Sequence, residues 1–387
     1  MSESIHFRLG PLVVSVSGQE NVTRWARETF DVVRCEEPAD LAFRFHDGPI
    51  DVAGPVTVGD EGVRVSDGSL WWRLRNCDMR ITRTDRLQVD LSLHDRRSCW
   101  RRSLADPVRC WKMWLSHGTS LDTQQFKDFM YGVCPQLIQC GLNERGAALI
   151  HASAFAVNGR AVVLPAWGGV GKSTLVSKTV LHGSAHFLSD DHAIIDRSGQ
   201  TYLHPLPAHI YAYHAESDPE LGRRLWDACG PASRFWWQLA TRIHRHRAVR
   251  WLAPQQLFGR AKLAHAAQID QVIVMFRGDR DDFLYEPCAP DATARASAAV
   301  IFNEFRDLAG LLTRADAGWA PSVLPSLGET HRTISEIYTA AFSAADCARV
   351  IIPRRASANE LVEFLRKRSR LLNEAMSESV SPLRRAA

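Results

Sequence analysis

No apolar run in the 387-residue chain is long enough to cross a bilayer, and no basic, apolar, small-residue leader opens it. These absences lead us to expect a cytoplasmic protein with no membrane partner. Cys-x-x-Cys pairs are also lacking among the nine cysteines, Cys35, Cys77, Cys99, Cys110, Cys134, Cys140, Cys229, Cys288 and Cys347. An odd count without such pairs points to reduced thiols rather than to disulfides or zinc. Charge of one sign is scarce too: a net charge of +4 is too small for a general nucleic-acid binder. What remains is ordinary globular composition, 45% hydrophobic and 23% charged, in a chain long enough for two domains.

The first hundred residues alternate with a period of two. The runs "HFRLGPLVVSVSG", "LAFRFHDG", "SLWWRLRN", "MRITRT" and "LQVDLSL" read as short strands, and "QENVTRWARETF" between the first two reads as a helix. We expect a small α+β domain over residues 1–105, for recognition or packing, since it gathers no chemically useful side chains. From Trp111 to Gly141 the apolar spacing is helical, giving a connector over 106–145 whose Trp and Met residues belong to a core.

At residues 148–165 the pattern becomes "ALIHASAFAVNGRAVVLP", two apolar runs around Asn158-Gly159. Asn-Gly there predicts a hairpin, because both central residues of a type I′ turn need positive φ. The hairpin feeds "AWGGVGKST". In this loop Gly168, Gly169 and Gly171 let backbone amides turn inward around phosphate oxygens, with Val170 between them and Thr174 just beyond. Lys172 can reach terminal phosphates, and Ser173 can ligate Mg²⁺ at the start of a helix whose N-terminus favours anions. Ala166 stands where the usual phosphate-loop pattern has its first glycine, the position least involved in phosphate approach. A glycine-rich strand-to-helix turn is the alternative reading.

The helix "STLVSKTVLHG" is expected to end at Gly183 as its C-cap. "AHFLSDDHAIIDRSGQTYLHPLP" then carries a short strand into Asp190 and Asp191 and turns again through "DRSGQ". Neighbours on a strand point to opposite faces, so the two carboxylates can share a site only if the strand ends between them. Sharing one, they suit metal ligation and activation of an attacking hydroxyl; a solvated strand end is the alternative.

Taken together, "IHASAFAVNGRAVVLPAWGGVGKSTL" and "FLSDDHAII" resemble the HPr kinase/phosphorylase superfamily, in particular its HPr-kinase-related branch. That family has a histidine on the strand before the loop, a Gly-x-Gly-Lys-Ser loop and an Asp-Asp pair in this order. The likeness is strong over residues 146–210 and weaker to about 352, where "DQVIVMFRGD" looks like a later core strand and "EPCAPDATARASAAVIFNEF" like a loop and helix. It implies an α/β fold with an HPr-kinase/PEP-carboxykinase-like P-loop core over residues 146–355, ATP and Mg²⁺ as cofactors, and a homo-oligomer. By the same resemblance His151 faces phosphate and Lys172 and Ser173 are the phosphate and Mg²⁺ groups. Asp190 or Asp191 is the base, with Asp190 favoured and Asp191 then the metal ligand beside Ser173. The segment used for phosphorolysis is not recognisable, so phosphorylase activity is not expected, and the different amino-terminal region argues against HPr itself as substrate.

An insertion over about 210–265 contains "SRFWWQLATRIHRHRAVRWLAPQQLFGRAK", with Arg234, Arg242, His244, Arg245, His246, Arg247, Arg250, Arg260 and Lys262 among aromatics. It reads either as a solvated basic surface or as a lid that grips an acidic acceptor, since arginine binds carboxylate or phosphate bidentately; a nucleic-acid patch is the least supported reading. Residues 356–387 open with a Ser357 to Glu360 capping box, continue as an amphipathic helix and end in a frayed tail. The chain is therefore expected to be a kinase acting on a hydroxyl of a protein, peptide or small molecule, with an acidic peptide or small molecule among the candidates. Its rivals are a non-catalytic nucleotide-binding regulator and an ATPase.

Overall fold

The computed structural model describes residues 3–50, 56–58, 62–66, 68–74, 77–93, 129–244, 248–318 and 323–377. Among the described residues, two mixed sheets and twelve α-helices make it an α/β protein. Most of the expected connector and the expected frayed tail lie outside the described residues.

The first sheet runs β1 (Ser4–Leu9), β2 (Leu12–Ser17), β3 (Leu41–His46), β4 (Val56–Val58), β5 (Val63–Ser66), β6 (Ser69–Arg73), β7 (Cys77–Arg83) and β8 (Leu87–Leu93) along the chain. Its spatial order is β1-β2-β3-β8-β7-β6-β5-β4, antiparallel except where β3 lies parallel to β2 and β8. The helix Glu20–Phe30 makes the crossover that a parallel β2–β3 pair requires, burying Val22, Ala26 and Phe30, with Phe30 stacked on Phe7 at 3.8 Å. The expected strands and helix are present; β4 and β5 were too short and too interrupted to read.

The second sheet contains β9 (Ala147–Ile150), β10 (Ala152–Val157), β11 (Arg160–Pro165), β12 (His186–Ser189), β13 (Ala193–Asp196) and β14 (Gln200–Tyr202). A separate ribbon pairs β15 (Ala208–Tyr211) with β16 (Val249–Leu252). The second sheet is completed by β17 (Ala266–Gly278), β18 (Leu284–Pro287) and β19 (Asp346–Pro353). Both predicted hairpins form: Asn158 and Gly159 take φ 51° and 75° between β10 and β11, and Gly199 takes φ 80° between β13 and β14. β17 is the spine, parallel to β11 and β19.

Period-two alternation decides what this sheet covers. Ala154, Ala156, Ala161 and Val163 join one apolar cluster with the first sheet and the helices Cys134–Glu144, Pro290–Glu304 and Leu327–Phe342. Phe155, Val157, Val162 and Leu164 join another with the helices Lys172–His182, Ala358–Arg366 and Arg370–Ser377. A sheet buried on both faces is what continuous apolar strands require. The edge strand β9 is closed by side chains: Gln139 accepts the Leu149 amide at 2.8 Å, and the buried Tyr338 hydroxyl donates to the Leu149 carbonyl.

Two expectations change, and the expected C-cap at Gly183 is present. The carboxy-terminal region is two helices, because Ser369 leaves the helical path to bond Gln271 and then accepts the Leu372 amide at 3.2 Å, starting Arg370–Ser377. "EPCAPD" begins on strand β18 rather than in a loop. Gly183 is the C-cap, but in extended backbone with φ −124°. Close approach is what requires glycine there: a Cβ would lie 2.5 Å from the Ala375 carbonyl oxygen and 2.6 Å from that of Thr179. Gly183→Ala should therefore lower the denaturation midpoint by roughly 1–3 kcal/mol of stability at unchanged m-value. An unaltered midpoint in urea titration would mean that the last helix does not press on this residue.

Candidate active site

Two adjacent strands of the second sheet break at the same level. β9 and β10 are one run interrupted at His151, and β12 and β13 are one run interrupted at Asp190–His192, so that Ala154 opposes Ser189 on one side of the break and Ile150 opposes Ala193 on the other. Asp191 takes φ 68°, a left-handed conformation that aspartate tolerates better than most residues. The strand therefore ends between the carboxylates, as a shared site requires, and both line a cleft of about 330 Å³.

The other wall is the glycine-rich loop. Ala166 is still strand-like, fully buried and bridged to Met275, which is why a Cβ fits where the usual pattern has glycine. Gly169 and Gly171 take φ 75° and 113°, turning the chain into the helix Lys172–His182. Its first backbone bond runs from the Leu175 amide to the Gly171 carbonyl at 3.0 Å; the amides from Gly168 to Thr174 find no acceptor among the described residues. A run of inward amides at a helix start suits an anion.

The side chains divide into two groups. Asp190, 8% exposed, accepts at one oxygen from Ser173 at 2.8 Å and from Ser153 at 2.7 Å. Asp191 is half-exposed and stands 3.8 Å from His151 Nε2. Neither ring nitrogen of the buried His151 has a hydrogen-bond partner among the described residues. Lys172, also buried, folds its ammonium back onto the carbonyls of Ala166 at 2.5 Å and Trp167 at 3.2 Å. Gly168, Gly169, Val170, Gly171, Lys172, Ser173 and Thr174 all line the cleft. His151 lies behind it, in edge contact with His192 at 5.6 Å.

Burial dominates the electrostatics. It pushes His151 down to about 3, helped by the Lys172 charge and opposed by Asp191. It likewise lowers His192 and Lys172, and brings His204 and His214 to about 4. Desolvation raises the Asp191 carboxyl, but the charges that His192, His151, His209 and Lys172 carry when protonated outweigh it and hold it below the usual carboxylate range. The imidazoles here are therefore neutral at physiological pH beside an ionised Asp191.

The residues present fit Mg²⁺ held partly by a ligand. The Ser173 hydroxyl and Asp190 carboxylate offer adjacent oxygens, and no cluster of three or more His, Cys, Asp or Glu that could hold a metal occurs among the described residues. Mg²⁺ commonly takes one or two carboxylates and completes its shell with water and phosphate oxygens.

Sequence reasoning missed Ser153, which the polar gap in the otherwise apolar β10 could have flagged. It also missed Tyr131, His209, Tyr211, Tyr213, His214 and Arg277, which line the cleft. Among the described residues the basic segment is not one continuous helix. Only part of the segment is helix Pro231–His244, where Arg234 lies over Trp226 at 5.3 Å. Arg250 is on β16, buried over Trp237 at 5.1 Å on the ribbon face turned from the cleft; Arg260 pairs with Asp31 and Lys262 donates to the Gly183 carbonyl. Arg245, His246, Arg247 and the side chain of His244 lie outside the described residues.

Histidines kept neutral by burial make stability depend on pH. For each, the unfolded chain binds a proton near 6.5 and the folded chain only nearer 4, so stability is complete above about 6.5 and declines as pH falls towards 4. His204 donates its Nδ1–H to the His192 carbonyl, 2.8 Å away, and asparagine can keep a donor there. His204→Asn should flatten the decline by about one proton, ~1.4 kcal/mol per pH unit, in denaturation midpoints measured from pH 7 to 4; parallel curves for variant and parent would contradict it.

No protein-family model matches the sequence, and no curated protein matches it. Among solved structures the chain is similar to the Hpr(Ser) kinase/phosphatase from Coxiella burnetii, with 12% identity over 41% of this chain and 97% of that one, at a TM-score of 0.20. A likeness at that level assigns neither fold nor activity.

Proposed function

We propose that the protein is an ATP- and Mg²⁺-dependent kinase that transfers the γ-phosphate to an acceptor hydroxyl. The observation that carries this reading is the division of the two aspartates: one bonded to the hydroxyl that opens the loop helix, the other free in the cleft beside a neutral histidine. A bare anion site would need the loop but not this second carboxylate.

In this mechanism the amides from Gly168 to Thr174 and the helix N-terminus hold the β- and γ-phosphate oxygens. Lys172 exchanges its bonds to Ala166 and Trp167 for phosphate oxygens. Ser173 and Asp190 would hold Mg²⁺, which when bound would neutralise charge on those oxygens. Asp191 orients the acceptor hydroxyl and takes its proton as the new O–P bond forms and the bridging P–O bond to ADP breaks. Asp191 is a weak base, which suits a loose transition state in which positioning outweighs proton abstraction. The roles favoured from sequence are thus exchanged: the Asp190 oxygen nearest the loop already accepts from two serines, and Asp191 reaches the open cleft. His151 positions Asp191 from behind.

Label transfer from γ-labelled ATP into fractions of cell extract tests the reading. Lys172→Ala should abolish transfer and weaken nucleotide binding in calorimetry, and undiminished transfer would remove the nucleotide-site assignment. Asp191→Asn should lower turnover by roughly 10²- to 10⁴-fold with MgATP affinity nearly unchanged, whereas Asp190→Asn should raise the Mg²⁺ concentration needed for half-maximal rate. If the two substitutions gave the opposite pattern, the roles would revert to those favoured from sequence.

A further inference from the structure

Beyond the glycine-rich loop, much of the cleft lining is aromatic. On β15, Ala208 and Ile210 turn into the core while His209 and Tyr211 line the cleft, as period-two alternation demands. Tyr213 stacks on Tyr211 with centroids 5.4 Å apart and planes 12° apart, and is 45% exposed. Tyr131 adds a ring 5.1 Å from that of His209, its hydroxyl donating to the Pro207 carbonyl at 3.3 Å. No Arg or Lys belongs to this wall among the described residues. The lining cations are Lys172, in the loop, and Arg277, whose guanidinium donates to the carbonyls of Pro353, Arg354 and Ala356.

The wall stands on the acceptor's side. Tyr131, His209 and Tyr211 line the cleft together with Asp191, whose charge acts on all three; that of Asp190 also reaches Tyr131. In phosphoryl transfer the attacking and leaving oxygens lie roughly in line on opposite sides of phosphorus, so the acceptor's body extends from Asp191 away from ADP. An anionic acceptor there would meet the Asp191 carboxylate and, among the described residues, no pairing arginine on the wall, which disfavours it. A flat apolar group would find the stacked tyrosines, whose rings supply both area and offset stacking.

Resting on the kinase reading, we propose that the acceptor is an uncharged compound carrying its hydroxyl close to an aromatic group, stacked against Tyr211 and Tyr213, and not the acidic acceptor that the arginine-rich segment suggested. The reaction is the transfer given above: the acceptor oxygen bonds to phosphorus, the bridging P–O bond to ADP breaks, and the acceptor's proton passes to Asp191.

The test is calorimetry on the full-length protein with Mg²⁺ and β,γ-imido-ATP, using 2-phenylethanol and its acidic counterpart 3-phenyllactate as probes. 2-Phenylethanol should bind at least about tenfold more tightly than 3-phenyllactate. Tyr213→Ala, at an exposed position where folding is not at stake, should weaken 2-phenylethanol by roughly three- to tenfold, and Tyr211→Leu likewise, with affinity for the nucleotide analogue within about twofold of the parent. The proposal fails if 3-phenyllactate binds as tightly or more tightly, if neither probe binds saturably, or if the tyrosine variants lose nucleotide affinity instead, which would seat adenine on the wall. Loss of nucleotide-analogue binding by the unsubstituted protein, with 2-phenylethanol binding intact, would overturn the kinase reading and leave the aromatic pocket standing.

Discussion

One carboxylate joins the parts that make the cleft. Asp190 accepts from Ser153 on β10 and from Ser173 on the loop helix, so a single side chain ties the broken strand, its neighbour and the start of the helix. The buried oxygen is satisfied by two hydroxyls, and each hydroxyl is aimed by the element it sits on. A charged group this deeply placed is tolerated only when so paired. With that knot fixed, Asp191 has to leave by a left-handed turn and emerges in the cleft instead of passing to the far side of the sheet.

The surroundings of the knot follow from double burial. Because the second sheet is covered on both faces, its histidines are desolvated and neutral, and they serve as shaped, uncharged partners rather than as cations. Positive charge is left to Lys172, held on its own loop's carbonyls. The two walls of the cleft therefore differ in kind, one built of amides and an ammonium, the other of rings.

Much of this was legible in the residues. Asn158-Gly159 announced its hairpin because only a few residue pairs take two positive φ angles, and the glycines after Ala166 announced the loop for the same reason. The pairing of Ser357 with Glu360 was legible because a cap is a local arrangement. What could not be read depends on contacts between distant segments. Tyr131 meets His209 across 78 residues of sequence, and Ser153 meets Asp190 across 37. The arginine-rich stretch misled because charge was counted without its strand phase: Arg250 and Trp251 are neighbours on β16 yet face opposite ways, the arginine inward to Trp237 and the tryptophan towards His209.

The last two helices measure the loop helix at both ends. A Cβ on Gly171, at its start, would touch Leu361 at 3.3 Å, and Gly183, at its finish, is pressed by the Ala375 carbonyl that also accepts from Ser184 at 2.8 Å. The final segment thus works as a splint laid along the helix that bears Lys172 and Ser173. It sets the pitch and depth at which that helix meets the sheet, so the aim of the loop's amides is governed from residues nearly two hundred positions further along the chain.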